Sequence, residues 1–123
     1  MIPEKVKKLL KEGKTIYLAT SSKNKSPNLV AVECIGLIKN KVLIADCHFN
    51  KTRKNLKENN KAAILTTGNG EFFQIKGKTE YQTSGKAFDK AVKSLIGTDL
   101  KAEGVVLVSC DEIYDLVNYK RLL

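Results

Sequence analysis

Apolar positions along this chain change their spacing several times, and each change marks an element. After Pro3, the residues Val6, Leu9 and Leu10 fall on one helical face with Lys5, Lys7, Lys8 and Lys11 around them. Proline suits a first helical turn and Gly13 suits a stop, so the pattern predicts a short amphipathic helix. Thr15-Ile16-Tyr17-Leu18-Ala19-Thr20 is β-branched and aromatic, a strand, and Ser22 to Pro27 is a polar turn. A second strand runs from Leu29 to Ile38, with Gly36 marking a bulge or bend. Lys39-Asn40-Lys41 is the hairpin loop into a third strand, Val42 to Asp46.

The second half repeats the alternation. Ala62 to Thr67 reads as a fourth strand, Gly68-Asn69-Gly70 as a tight turn, and Phe72 to Thr83 as a long fifth strand kinked at Gly77. Ser84-Gly85 opens a second amphipathic helix that buries Ala87, Phe88, Ala91, Val92, Leu95 and Ile96 and stops at Gly97. Gly104 to Cys110 is a sixth strand, which Ile113 to Val117 continues or carries over a rim. The expected fold is mainly β: a six-stranded antiparallel closed or split barrel with flanking helices, one domain over residues 1–123, with the first helix across a barrel end.

Composition narrows the function class. At 42% hydrophobic and 28% charged residues the chain has the balance of a globular domain. No apolar run approaches the roughly 20 residues of a membrane span. The start, Met1-Ile2-Pro3-Glu4-Lys5, lacks a signal-peptide core, and the three widely spaced cysteines match neither a disulfide framework nor a zinc pattern. The expectation is a cytoplasmic protein with reduced thiols, no metal and no membrane association. A net charge of +9 favours anionic partners, either nucleic acid or phosphorylated small molecules. Only 7% of residues are aromatic, with no row of exposed stacking rings, so a single-stranded nucleic-acid-binding barrel is the alternative and nucleic acid the lesser expectation.

Familiar chemical motifs are missing: no Walker-type phosphate loop, no dinucleotide glycine fingerprint and no Gly-x-Ser-x-Gly elbow. His48, the only histidine, adjoins Cys47 at the end of the third strand, where neighbouring side chains point to opposite faces. The pair therefore reads as rim residues rather than a nucleophile and its base. What stands out is Asn50-Lys51-Thr52-Arg53-Lys54-Asn55-Leu56, between two buried-type strands. A helix beginning here aims unpaired N–H groups, the Thr52 hydroxyl as a cap, and the Lys51, Arg53 and Lys54 charges at one point. That set suits a phosphate monoester.

The same segment carries a resemblance. Thr52-Arg53-Lys54, followed by Leu56, Asn59 and Ala62-Ala63-Ile64-Leu65, resembles the Ser/Thr-Arg-Lys segment of the pyridoxamine 5'-phosphate oxidase-like flavin-binding split barrels. Lys51-Thr52 is similar to the Lys-Thr pair of the short FMN-binding proteins of that superfamily. The order of elements agrees: an N-terminal helix, Leu18-Ala19-Thr20, a turn ending in Pro27, then Leu29 to Val32. Downstream, Gln74-Ile75-Lys76-Gly77-Lys78-Thr79-Glu80 resembles the family's long strand with its glycine, and Val105 to Val108 with Ile113 to Leu116 resembles its closing strand.

The resemblance implies FMN as cofactor and a small oxidoreductase or electron carrier as activity. It places the FMN phosphate on Lys51, Thr52, Arg53 and Lys54, and the isoalloxazine ring along Val30, Ala31, Val32 and Glu33. Cys47 and His48 then line the pocket, and Gln74 reaches the flavin of the partner chain in a homodimer. Related split barrels use a deazaflavin coenzyme or haem instead, and a basic pocket accepts these as well. The chain departs from the oxidases proper, which carry an Arg at the start of strand two and a Lys at its end, where this chain has Val30 and Ile35. It ends Asn118 to Leu123 without the family's substrate-binding histidine, which argues against oxidation of pyridoxine phosphate. Catalytic residues, substrate and redox partner are not named by the sequence.

Overall fold

A computed structural model describes all 123 residues. The elements in chain order are α1 (Glu4–Lys7), β1 (Thr15–Ser21), β2 (Pro27–Ile38), β3 (Lys41–Asp46), α2 (Lys51–Glu58), β4 (Lys61–Gly68), β5 (Glu71–Gln82), α3 (Lys86–Ser94), β6 (Gly104–Ser109), β7 (Glu112–Asp115) and β8 (Lys120–Arg121). Six strands close in the order β1-β2-β3-β6-β5-β4 and back to β1, every pair antiparallel. The expected six-stranded barrel is therefore the observed one.

Two strands change partners along their length, and this splits the barrel. β2 pairs with β1 over residues 27–33 and with β3 from Cys34 onward. The changeover is a bulge between Cys34 and Gly36, and Gly36 has φ +117°, a conformation that side chains strongly disfavour. β5 pairs with β4 over its first eight residues, with β7 at Phe73 to Lys76, and with β6 at Thr79 to Gln82. Just before the change to β6 stands Gly77, where a Cβ would collide with the backbone carbonyl oxygen of Ser109. Chain crossing at that distance requires glycine.

Two cores follow from this closure. The barrel lumen holds Ile16, Leu18, Cys34, Ile44, Ile64, Phe73, Ile75, Val106, Val108 and Ile113, with Ile2, Val6, Leu9 and Leu10 of the α1 segment among them and Leu56 of α2 at the edge. A second core lies outside the barrel, where Ala87, Ala91 and Leu95 cover Ile35, Leu43, Ala45, Val105 and Leu107. The opposite outer face, built by β1, β4 and the first halves of β2 and β5, carries no helix. There Tyr17, Leu29 and Phe72 are 38%, 68% and 44% exposed.

The structure modifies four expectations. α1 spans four residues and continues as tightened turns, because the Leu9 and Leu10 carbonyls accept the Thr66 hydroxyl (2.6 Å) and the Cys34 thiol (3.4 Å). The segment after β6 does not continue that strand: the chain turns at Cys110-Asp111 and returns as β7 beside β5. α3 ends at Ser94, which leaves Ile96 in a turn and 76% exposed, and Val92 is 43% exposed rather than buried. Ser84 does not cap α3, since Gly85 occupies the cap with φ +98° and no side-chain bond.

Candidate functional site

α2 connects β3 to β4 and is fixed to the barrel by amides. Its buried face is Thr52, Asn55 and Leu56, one helical stripe of which only Leu56 is apolar. The Asn28 amide on β2 donates to the Thr52 hydroxyl at 3.0 Å, and the Asn55 amide donates to the Thr20 hydroxyl on β1 at 3.1 Å. At the far end, the Asn59 amide donates to the Ser21 hydroxyl at 2.8 Å. Burying these polar groups is tolerable because each is paired. Thr52 is thus the second helical residue and not a cap: Asn50 precedes the helix without a side-chain capping bond. Asn28, Asn55 and Asn59 position the candidate site by holding α2 to the barrel, and basic-charge reasoning misses them. The signal for the latter two was present in the i, i+3, i+4 and i+7 row from Thr52.

The first N–H groups of α2, on Lys51, Thr52 and Arg53, find no acceptor in the chain, while the Lys54 N–H bonds to the Asn50 carbonyl at 3.1 Å. Lys51 and Lys54 are exposed and form no ion pair. Both border a polar cleft of about 280 Å³ between α2 and the β1–β2 turn, shared with Asn28, Asn55, Ser22 and Glu58. Open N–H groups at a helix start beside two free ammonium groups suit an anion.

Arg53 is not part of that convergence. Its Nε donates to Asp46 Oδ2 at 2.9 Å, and its terminal nitrogen pairs with Glu103. Asp46 is fully buried and also accepts the Phe49 N–H at 2.8 Å and the Tyr81 hydroxyl. Those two carboxylates raise the Arg53 pKa, Asp46 first. Burial, and then the bond to Asp46, push the Tyr81 phenol up to about 12. Arg53 therefore ties α2 to the ends of β3, β5 and β6, while its sequence neighbours Lys51 and Lys54 face the cleft.

The β2 residues Val30 to Glu33, expected from the resemblance to meet a ring, lie next to the helix start. The Cys34 N–H donates to the Lys14 carbonyl at 2.8 Å, which sets the alternation of the β1–β2 ladder. Val30 and Val32 bond toward β1, and the N–H and C=O groups of Leu29 and Ala31 turn the other way. No strand lies beyond them, because β3 joins β2 only from Cys34. The side chains of Val30 and Val32 pack toward the lumen, while Ala31 is exposed and Glu33 half-exposed. A planar ligand with amide-like edges fits such an open strand edge, and the Asn28–Thr52 bond holds that edge beside the open helix N-terminus.

Cys47 and His48 follow β3 at the same end but share no hydrogen bond, and His48 is exposed while Cys47 packs against the second core. Burial raises the Cys47 pKa, and the Asp46, Glu33 and Glu103 charges raise it further. That is opposite to what a nucleophilic thiol needs. Gln74 is on the outer face of β5 in a register row, Ala31–Tyr17–Leu65–Gln74. Three strand spacings, roughly 14 Å, separate it from Ala31 in its own chain.

The sequence profile described as pyridoxamine 5'-phosphate oxidase matches residues 2–115. The chain belongs to the pyridoxamine 5'-phosphate oxidase family. An uncharacterised protein of Methanocaldococcus jannaschii is 39% identical, with 92% of this chain and 78% of that protein covered. Among solved structures, HupZ of Group A Streptococcus superposes with TM-score 0.88 at 20% identity, covering all of both chains. An FMN-binding protein from Syntrophomonas wolfei gives 0.77 at 20% identity, over 92% of this chain and 84% of that one. HutZ, the heme storage protein of Vibrio cholerae, gives 0.71 at 14% identity, over 94% and 95%. These solved structures share the split-barrel fold with this chain.

Proposed function

We propose that this chain binds FMN in a cytoplasmic homodimer and works as a small flavin-dependent oxidoreductase or electron carrier. The observation that carries the reading is the juxtaposition, through Asn28 and Thr52, of an open helix N-terminus and an open strand edge. The α2 N–H groups with Lys51 and Lys54 would hold the phosphate. The β2 edge from Val30 to Glu33 would meet the ring's amide-like side, with Cys47 and His48 bordering it. Bound FMN supplies hydride and single-electron transfer, so the protein's contribution is orientation and electrostatics. The open N–H groups of the β2 edge would orient the ring and meet negative charge on its amide-like side.

Two further features support the assembly and compartment. The helix-free outer face exposes Tyr17, Leu29 and Phe72 in one area, and covering it with a second copy would bring Gln74 near the partner's ring. Cys34, Cys47 and Cys110 are all unpaired, as suits a reducing compartment.

Purified protein should show the yellow flavin absorption band or take up added FMN stoichiometrically. Lys51→Ala with Lys54→Ala should weaken FMN about a hundredfold through two lost charge-assisted contacts. A colourless protein indifferent to FMN would overturn the proposal. Haem is the second reading, supported by the fold shared with the heme storage protein HutZ and by the exposed His48 at the site's edge. A Soret band on adding haemin, lost in His48→Ala, would select it. Uptake of a deazaflavin coenzyme in place of FMN would keep the site and change the cofactor.

A further inference from the structure

α3 has two apolar rows, and the barrel covers only one. Ala87, Ala91 and Leu95 follow one another at i, i+4 and i+8 and close the second core. Phe88, Val92 and Ile96 form the adjoining row at the same spacing. With Leu100 and Ala102 they line an apolar groove of about 430 Å³ beside the turn that ends the helix. Phe88 is half-buried, whereas Val92, Ile96 and Leu100 are exposed. The groove is on the barrel side opposite the helix-free face, so it stays open when that face is paired. It shares no residue with the cleft beside Lys51 and Lys54.

The charges around the groove decide what can cover it. A chain of net +9 repels a second copy over much of its surface. Residues 86–103 are nearly balanced instead, with Lys86, Lys90, Lys93 and Lys101 against Asp89, Asp99 and Glu103. Lys90 turns back to the β2 bulge, where its Nζ lies 3.3 Å from the place of a Cβ on Gly36, and Glu103 is taken by Arg53. Asp89 and Lys93 are exposed on one flank of the Val92–Ile96 row, and neither forms an ion pair within the chain. A purely acidic partner would meet Asp89 and Asp99 as well as the lysines. A two-fold copy of α3 satisfies both signs. Asp89 and Lys93 are equally spaced about Ala91, so two helices packed antiparallel at that level set each Asp89 against Lys93 of the other copy.

We propose that the α3 groove is a second self-association surface, in which two copies pack α3 antiparallel and join dimers into a tetramer. Val92 of each copy meets Val92 of the other, Ile96 covers Phe88, and Asp89 pairs with Lys93 across the axis. Covering the apolar row supplies the attraction, and the exposed ion pairs fix direction more than strength. α3 spans nine residues, roughly 14 Å, so one contact is smaller than a stable interface needs. Two such contacts form together between two dimers, and assembly then has a midpoint on the order of 0.1 mM. The surface is independent of what the α2 cleft binds.

The test is sedimentation velocity of the purified full-length chain from about 5 μM to about 1 mM. Dilute protein should sediment with the mass set by the helix-free face, and concentrated protein with twice that mass. Val92→Glu with Ile96→Glu should abolish the doubling and leave the dilute mass, the melting temperature and FMN uptake close to wild type. Asp89→Lys should raise the midpoint at least about threefold, and Asp89→Lys with Lys93→Asp should restore it, because the exchanged pair regains opposite charges. One mass at every concentration would overturn the proposal and leave the groove to a different occupant. Doubling that survives Val92→Glu with Ile96→Glu would overturn it too, as would an undiminished Asp89→Lys variant or a charge exchange that restores nothing. Failure of the helix-free face alone would appear differently, as a monomeric dilute mass with the doubling through α3 intact.

Discussion

Arg53 Nε and Asp46 Oδ2 are joined by a hydrogen bond of 2.9 Å, with the carboxylate fully buried and the guanidinium side chain 32% exposed. This bond separates two residues that the sequence places side by side. Lys54 is free at the helix start, whereas Arg53 is held against the barrel by Asp46 and Glu103. Lys54→Ala should therefore lower FMN affinity with no measurable change in urea unfolding. Arg53→Ala should lower stability by about 1–3 kcal/mol, because it leaves Asp46 short of a donor. Asp46→Ala should cost more, roughly 2–4 kcal/mol, since Phe49 N–H, Tyr81 hydroxyl and Arg53 all lose their acceptor. Equal stability of the Arg53 and Lys54 variants would show that Arg53 is not a strut.

Asn28→Ala removes the one side-chain tie from β2 to the start of α2. The unfolding free energy should fall by about 1 kcal/mol, and FMN affinity should fall roughly tenfold as the two halves of the cleft lose register. Fluorescence titration of FMN alongside melts separates the two effects. An affinity loss no larger than the stability loss would mean that register at this bond does not matter.

Asp115 should set part of the acid stability. Its carboxylate accepts the Asn118 amide at 2.9 Å and the N–H groups of Val117 and Asn118, with Lys5 at 3.6 Å. The Asn118 amide first, then these N–H groups, hold its pKa at about 2, below the ordinary 3.8. A depressed folded-state pKa stabilises above the unfolded value and is lost as the pH falls through the folded one. Melting temperature should thus decline between about pH 4 and pH 2, and Asp115→Asn should be less stable at neutral pH with a flatter profile in that window. A variant with the wild-type slope would assign the acid sensitivity elsewhere.

Gly77→Ala should be among the most damaging single-methyl additions in the chain. The new Cβ meets the Ser109 carbonyl oxygen, a backbone atom that cannot rotate away. A loss on the order of 3 kcal/mol is expected from urea denaturation, with β5 and β6 forced apart. A loss below about 1 kcal/mol would mean that the crossing is looser than described.

Tyr17→Glu with Leu29→Glu places two charges on the helix-free face. Light scattering should shift from dimer to monomer mass, and FMN uptake should fall with it if Gln74 completes the partner's site. A wild-type monomer would remove the dimer from the proposal and leave the cleft of one chain to act alone.

The sequence by itself determined the order of the six barrel strands and the place of the basic helix between the third and the fourth. Each rests on local information: alternation in Thr15–Thr20 and Ala62–Thr67, glycines at Gly36 and Gly77, a polar run between two apolar strands. Only the tertiary structure decided which polar residues of that helix face which neighbour. Thr52 reads as a cap in sequence, yet it bonds to Asn28, twenty-four residues away. Arg53 reads as a phosphate ligand, yet it finds Asp46 and Glu103, which lie on strand β3 and before strand β6. Short-range patterns set secondary structure because they depend on each residue's own backbone and face. A site made of side chains from distant strands depends on barrel closure, which no local spacing encodes.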